Sequence, residues 1–525
     1  MKSMGRTTRW AIRCLCLAVL AGLAGCATTG EQEGFARKQA AQFTLYLNGP
    51  QQPSLDMTFE LAAVTIVAED GTAREVMSSP RKVNSQAVSG LQVLLGEKVL
   101  PEGRYTGLEL VVTRAEIIRD GRPASLALPP DGIRINISVA LTGNQNTTLF
   151  LNWNADASLS EEYLFSPVFT VKTTSPELST LLVYVTNEDS NNVSVINRQE
   201  GEVAASVMVG RKPRGLATAK KGDRLKVYVA NSGANSISVI DPTGNTVENE
   251  IPIRFGRQPE ALAVAGIPPD RELLFVANYG SDAVSTVDTI TYQELEKIEV
   301  GRGPIAIAVD PPAEELIGTR FLGFEDLNVM RNYRERFFNV YVANHDSNTV
   351  SVIRMDRVRR KSEEVMTLNV EWRPIAVSVD YPRGKVYVAN YSSDKLSVID
   401  IIETIKGNVD GAVSTISSVG LSIVDVIADP SFDRLYLLKE TPAEIVIIRP
   451  FSEGAGAMTE AMPPVMGVVP VGRSPRAFLL DPEGRKFYVV NRGADTLSIV
   501  DKTTKREEAV IPVGRNPYGV AVFRK

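Results

Sequence analysis

The chain is poor in the residues that most often carry enzyme chemistry. Only 1 His and 3 Cys occur in 525 residues. A single imidazole excludes His-rich metal sites and argues against Ser-His or Cys-His catalysis. The haem-attachment spacing CxxCH is missing. So are a phosphate-cradling P-loop and a dinucleotide fingerprint in a βαβ setting. No catalytic set, metal site or cofactor is therefore expected. Long apolar runs are also lacking: Leu15 to Leu23 is too short to span a bilayer comfortably. Basic charge is not in excess, with 57 Lys+Arg against 62 Asp+Glu. An acidic chain lacks the footprint of non-specific nucleic-acid binding, so no nucleic-acid partner is expected. Carboxylates are plentiful, which leaves a paired-carboxylate mechanism open, but no pair stands out.

What the chain does have is a repeat. Val386-Tyr387-Val388-Ala389 is a β-branched and aromatic run without helical period. Asn390 to Asp394 is rich in residues that bond their own backbone and bend the chain. Leu396 to Asp400 then reads as a second strand, so the stretch predicts an antiparallel hairpin. Equivalent first strands end at Asn187, Asn231, Asn278, Asn344, Asn390, Lys439 and Asn491, at intervals of 44, 47, 66, 46, 49 and 52 residues. That spacing suits four-stranded propeller blades. Most hairpins lead through a third strand to a Gly-Pro corner such as Val300-Gly301-Arg302-Gly303-Pro304, then to a small apolar strand such as Ile305 to Val309. Near-continuous apolar strands fit sheets buried on both faces. The first copy lacks its small strand, and an orphan one, Tyr518 to Phe523, ends the chain. Pairing the two would close a ring and remove exposed edges; an open solenoid, the alternative, needs no orphan strands. The expected fold class is all-β, a seven-bladed β-propeller behind an N-terminal β-sandwich.

The YVAN…SVID signature with its VGxxP corner resembles the YVTN β-propeller repeat family of bacterial surface and periplasmic proteins. Only Lys439 departs from the family's Asn, which bears on the regularity of that blade. The resemblance implies a fold and an extracytoplasmic setting and no single activity.

Residues 1–25 read as a leader. Lys2, Arg6, Arg9 and Arg13 make a basic start without acids, and the apolar run ends at Leu23-Ala24-Gly25-Cys26. That end resembles a bacterial lipobox, which implies cleavage before Cys26 and its diacylation; an ordinary secretory signal with a chance Cys is the alternative. Several acyl chains anchor a protein stably. Ala27 after the cysteine implies, by the same analogy, the outer membrane of a diderm cell envelope. Cys14 and Cys16 leave with the leader, so the remaining chain has no disulfide to form. Its Lys+Arg count falls from 57 to 53 against 62 acids, a net near −9.

Residues 26–41 are small and polar and read as a tether. Residues 42–172 carry period-two strands without the repeat, among them Phe43 to Leu47, Phe59 to Val67, Tyr105 to Val112, Ile133 to Val139 and Thr147 to Trp153. This predicts a sandwich with one core, including Trp153. Its stretches LLGEKVLPEGRYTGLELVV and LFLNWNADASL resemble an uncharacterised bacterial lipoprotein domain, which implies fold only. Residues 173–180 read as a linker, and 181–525 as the propeller. The 66-residue interval marks an insertion over 311–336, where Leu327, Met330, Tyr333 and Phe337 predict a short amphipathic helix. It would plug the face opposite the corners, or offer a docking site for the sandwich or a partner.

One pattern exceeds what the fold requires. Six of seven corners carry an arginine, read as one equivalent position: Arg211, Arg257, Arg302, Arg373, Arg473 and Arg515, with Leu421 in the degenerate copy. These predict an arginine ring around one mouth of the channel. Tyr279, His345 and Tyr391, each following a repeat Asn, would form an aromatic arc outside it. Guanidinium groups suit carboxylate or phosphate, and aromatic rings suit stacking on sugars. The alternative is a solvated Arg copied by duplication. The expected function is a non-enzymatic, lipid-anchored envelope binding or scaffold protein. Beyond the membrane reached through Cys26, its expected partner is an anionic glycan, peptide or envelope protein. A propeller oxidoreductase or lactone hydrolase, and a self-assembling surface-array component, are the other readings.

Overall fold

A computed structural model describes residues 40–77, 79–130, 132–143, 145–173, 182–221, 224–267, 271–311, 322–429, 431–450 and 465–523. The expected leader, Cys26, most of the expected tether and nearly all of the expected linker lie outside them. The chain divides into two compact units, one of residues up to Ser89 with Leu95–Thr173, the other of Gly90–Leu94 with the residues after Thr173.

The first unit is a β-sandwich. One sheet has the order Val168–Thr173, Asn146–Asn154, Ala40–Asn48, Gln92–Pro101. Its first strand begins at Ala40, inside the expected tether. Ala40–Asn48 runs parallel to Asn146–Asn154, with Leu45 opposite Leu149. The other sheet is built on Met57–Ala68 and Gly103–Arg119. The two sheets meet through aromatic rings: Phe59 lies 5.0 Å from Trp153, edge to face, and 5.3 Å from Phe165. Trp153 is core, as expected, and its indole N–H donates to Ser158 Oγ at 3.0 Å.

The second unit is seven four-stranded antiparallel sheets. Six are built in order along the chain. The remaining one takes three strands from the start of the unit and its innermost strand, Pro517–Val522, from the end. Val183 pairs with Val522, Tyr184 with Ala521 and Val185 with Val520. Each innermost strand touches the next, and Pro517–Val522 touches both Pro475–Leu480 and Pro213–Lys221, so the ring is shut. Blades are numbered here from the one containing Leu182. Hydrophobic clusters straddle neighbouring blades: Tyr228 and Val239 of the second meet Leu274 and Val276 of the third. The repeated Tyr184, Tyr228, Tyr341, Tyr387, Tyr436 and Tyr488 are all fully buried in these seams.

The repeat signature has a direct structural cause. Each repeat Asn is fully buried and donates from Nδ2 to a Ser hydroxyl seven residues on: Asn187 to Ser194 at 2.9 Å, Asn231 to Ser238 at 2.8 Å, Asn344 to Ser351 at 2.9 Å, Asn491 to Ser498 at 2.7 Å. The corner glycine lies against the same amide. A Cβ on Gly210 would come within 2.5 Å of the Asn231 side chain, and one on Gly256 within 2.2 Å of Asn278. Asn and Gly are thus one packing unit. In the sixth blade Lys439 replaces the Asn, and its Nζ lies 2.8 Å from where a Cβ of Gly420 would be. The aspartates closing the SVID strands bond turns: Asp288 Oδ1 accepts from Ile290 N at 2.9 Å and Asp400 Oδ1 from Ile402 N at 2.8 Å.

The insertion contains helix α1, Phe324–Arg336, which packs on a short helix α2, Ile401–Lys406. It follows the far end of the fourth innermost strand, opposite that blade's corner. Met330 is fully buried. Phe337 is not on the helix, contrary to the periodicity: it opens the next strand, where the β-rich run Phe337–Asn344 takes over, and its ring lies 5.5 Å from Tyr333. Arg334 is buried as well, over the Tyr381 ring at 4.9 Å and 3.7 Å from the Asp310 carboxylate.

Replacing Asn231 by Ala removes two buried hydrogen bonds, to Ser236 and Ser238, and leaves a void against Gly210. A loss of about 2–3 kcal/mol is expected. Urea unfolding of the variant against the parent checks it.

Candidate functional site

The corners and the hairpin loops lie on one face, stitched by backbone hydrogen bonds. The residue after each repeat Asn, or after Lys439, donates its N–H to the carbonyl of the residue before the innermost strand: Ser232 to Lys212 at 2.9 Å, His345 to Gly303 at 2.9 Å, Tyr391 to Arg373 at 2.9 Å, Glu440 to Ser422 at 2.9 Å. Those acceptor residues share a left-handed backbone, with φ of 50° at Lys212, 66° at Gly303 and 57° at Arg373. The following loop residue bonds one position earlier: Gly233 to Arg211 at 3.0 Å, Asp346 to Arg302 at 3.1 Å, Ser392 to Trp372 at 3.3 Å.

This register corrects the arginine ring. Arg211, Arg257, Arg302, Arg473 and Arg515 are equivalent, but Arg373 is not one of them. It stands where Lys212 stands. The fifth blade has Glu371 in place of the corner glycine, so Trp372 takes the arginine's place, and it is 68% exposed. The five equivalent arginines are exposed, and none makes an ion pair with another described residue. The guanidiniums of Arg302 and Arg515 make long contacts, to the carbonyls of Asp346 (3.4 Å) and Asp189 (3.3 Å).

The expected aromatic arc is partly joined. The Tyr279 hydroxyl donates to Asp346 Oδ2 at 2.9 Å, and His345 Nδ1 lies 2.6 Å from Asp346 Oδ1. Burial pushes the Asp346 carboxyl up, but the bonds from His345 and Tyr279 outweigh it and hold it below the usual range. Tyr391 is not part of this group. Its hydroxyl donates to Glu440 Oε2 of the next blade at 2.8 Å, and that carboxylate pushes the phenol up.

Sequence reasoning missed the strongest charge cluster. Each innermost strand carries a bulge directly after its first residue, as the pairing shifts between Pro259 and Ala261 or Pro475 and Ala477 show. Bulges re-aim side chains. The residues so placed are Arg214, Glu260, Ile305, Ile375, Val424, Arg476 and Tyr518. On one side they form a network with the loop residues Glu188 and Arg492. Arg214 bonds Glu260 and, at 2.8 Å, Glu188; Arg492 reaches Glu188 at 3.0 Å. Arg476 donates to the Tyr518 hydroxyl at 2.8 Å, and the guanidiniums of Arg214, Arg476 and Arg492 stand 5.2, 4.5 and 5.7 Å from its ring centre. Burial pushes the Glu260 carboxyl up against the pull of Arg214. The other side, with Ile305, Ile375 and Val424, is apolar. The only sequence signal was position: the residue right after each corner proline.

Below this layer Asp425 accepts from its own Val426 N–H at 2.8 Å and from Phe478 N–H at 3.1 Å. Burial pushes it up to about 6, against these bonds and the charge of Arg476. Asp310 and Asp380 are raised to about 6 by burial as well. A carboxyl that holds its proton more tightly folded than unfolded favours the fold below the unfolded value of 3.8, and that contribution is lost as pH rises to about 6. Stability is expected to decline from about pH 4 to pH 6. Asp425→Asn should flatten one share of that slope, at most ~1.4 kcal/mol per pH unit. Urea unfolding across this range, parent against variant, measures it.

Among the described residues no group of three or more His, Cys, Asp or Glu is placed to hold a metal ion. No protein-family model matches the chain. Over 330 residues, 59% of this chain and 76% of the relative, it is 24% identical to the seven-bladed β-propeller protein Rv1057 of Mycobacterium tuberculosis. A functionally unknown protein from Desulfotomaculum acetoxidans is similar in structure, with a TM-score of 0.50 and 10% identity over 65% of this chain and 99% of that one. The hydrazine synthase of Kuenenia stuttgartiensis aligns at a TM-score of 0.48 and 15% identity, over 62% of this chain and 93% of that one. At 10% identity the likeness to the Desulfotomaculum protein speaks to fold alone. With seven sheets in a shut ring and a seven-bladed relative, the chain is a seven-bladed β-propeller protein.

Proposed function

We propose that this is a non-enzymatic, lipid-anchored binding or scaffold protein of the cell envelope, related to YVTN-type repeat proteins, and that the corner face of its propeller binds an anionic ligand or acidic partner. One observation carries the binding reading. On that face the inner Arg214 and Arg492 pair with the carboxylates of Glu188 and Glu260, and Arg476 is held by the Tyr518 hydroxyl, whereas Arg211, Arg257, Arg302, Arg473 and Arg515 are exposed and without ion pairs among the described residues. Five like charges repeated around one rim repel each other, and an anion spanning several blades relieves this. The leader ending at Leu23-Ala24-Gly25-Cys26 supports the anchor.

The combined variant Arg211→Ala, Arg302→Ala and Arg473→Ala should bind polyglutamate and oligogalacturonate about tenfold more weakly than the parent in 50 mM salt, since each exposed pair contributes modestly. Parent binding should also fall as salt rises. An unchanged affinity, measured by calorimetry, removes the rim from the account. Cys26→Ser should abolish incorporation of a labelled fatty acid in bacteria expressing the chain and release it from the membrane fraction; retained label would place the acylation elsewhere.

A further inference from the structure

The fifth blade departs from the rim in a way that makes a second kind of surface. Trp372 stands where five blades have arginine, with its indole 68% exposed. Beside it lies a groove of about 600 Å³ lined by His345, Asp346, Asn348, Trp372, Arg373 and Ser392. In the chain from Cys26 onward the other tryptophan, Trp153, is 3% exposed. Leaving an indole two-thirds exposed among polar groups gives little to folding by burial.

The wall of the groove is fixed. Both Asp346 oxygens are held, one by His345 and one by Tyr279. Asn348 Oδ1 accepts from Arg373 N at 2.9 Å, which orients the amide. The backbone around it is engaged: Tyr391 N bonds Arg373 O, Ser392 N bonds Trp372 O, and Asp346 N bonds Arg302 O. An added peptide strand would find no free edge there. What remains for a ligand is the indole face, the Asn348 amide N–H groups, the Ser392 hydroxyl and the Arg373 guanidinium, none with a side-chain hydrogen bond to another described residue. An aromatic plate rimmed by neutral donors and one cation, with the Asp346 carboxylate in the wall held by His345 and Tyr279, complements a ring with apolar faces and hydroxylated edges whose carboxylate lies on the Arg373 side.

We propose that this groove is a subsite for one ring of an acidic oligosaccharide, stacked on Trp372 with its carboxylate toward Arg373. The inference rests on the reading of the corner face as an anion-binding surface and names its ligand class. The neighbouring rim arginines, Arg302 first, then take the carboxylates of adjoining units.

The test uses the protein from Cys26 onward and two acidic probes: oligogalacturonate, which has rings, and polyglutamate, which has none. Oligogalacturonate should quench the Trp372 emission. Trp372→Ala should weaken oligogalacturonate binding about tenfold and leave polyglutamate unchanged, with Trp372→Tyr restoring it to within about threefold. Because the indole is exposed, the melting temperature should not move. Equal oligogalacturonate affinity for Trp372→Ala and parent overturns the subsite. So does a parent that binds polyglutamate alone, which would favour an acidic polypeptide, or one that binds neither probe. If oligogalacturonate binding depends on Trp372 but survives loss of the rim arginines, the ring subsite stands and the anion reading falls.

Discussion

The propeller depends on the pairing of its last strand with its first. Until Pro517–Val522 docks on Leu182–Asn187, the first blade has an open edge and its neighbours have an uncovered face. Among the described residues apolar clusters fill six of the seven seams, and that of the first and second blades includes Phe523, so an undocked last strand would leave apolar surface in water. The junction is tied by more than the ladder. Phe523 packs edge to face on Tyr184 at 6.1 Å, and Thr218 of the second blade donates to Val522 O at 3.0 Å. Gly519 sits so close to the second blade that a Cβ would meet Arg214 O at 2.6 Å. Closure therefore fixes the spacing of the innermost strands as well as the sheet order.

The same junction assembles the chemistry of the corner face. Tyr518 comes from the closing strand, Glu188 from the first hairpin, Arg476 and Arg492 from the last blade, Arg214 and Glu260 from the second and third. Residues from both ends of the repeat array meet in one network that exists only in the shut ring. Its charges are largely self-matched, and a buried ion pair of this kind is costly to break but adds little net attraction for an outside ligand. The charges still available to a partner are on the rim, in solvent. The face thus combines a rigid, nearly balanced centre with an exposed cationic edge and, on the fifth blade, an aromatic plate.

What the sequence disclosed follows from what the repeat repeats. The Asn, the corner glycine and the Ser of the next strand recur because they are one packing unit, and they reveal the blades, their number and the closing strand. The positions placed by the bulges of the innermost strands do not recur. The residue after each corner proline is Arg, Glu, Ile, Ile, Arg or Tyr, and a search for sameness passes over it. Arg373 was matched to the rim by residue type; with Glu371 replacing glycine, only the backbone hydrogen bonds reveal the one-residue offset that puts Trp372 there. The insertion helix was visible from its spacing, but not its end, because Phe337 belongs to a run whose strand pairing outweighs the helical period. Nor was Arg334 visible as a buried anchor, since its carboxylate partner Asp310 lies at the other end of the insertion.

Hydrogen exchange on the intact protein tests the closed ring most directly. If the account is right, the amides of residues 517–523 exchange as slowly as those of the interior strand Pro259–Ile267, because both open only when the ring does. Exchange of 517–523 within seconds, while the other innermost strands stay protected, would show an unpaired end and contradict it.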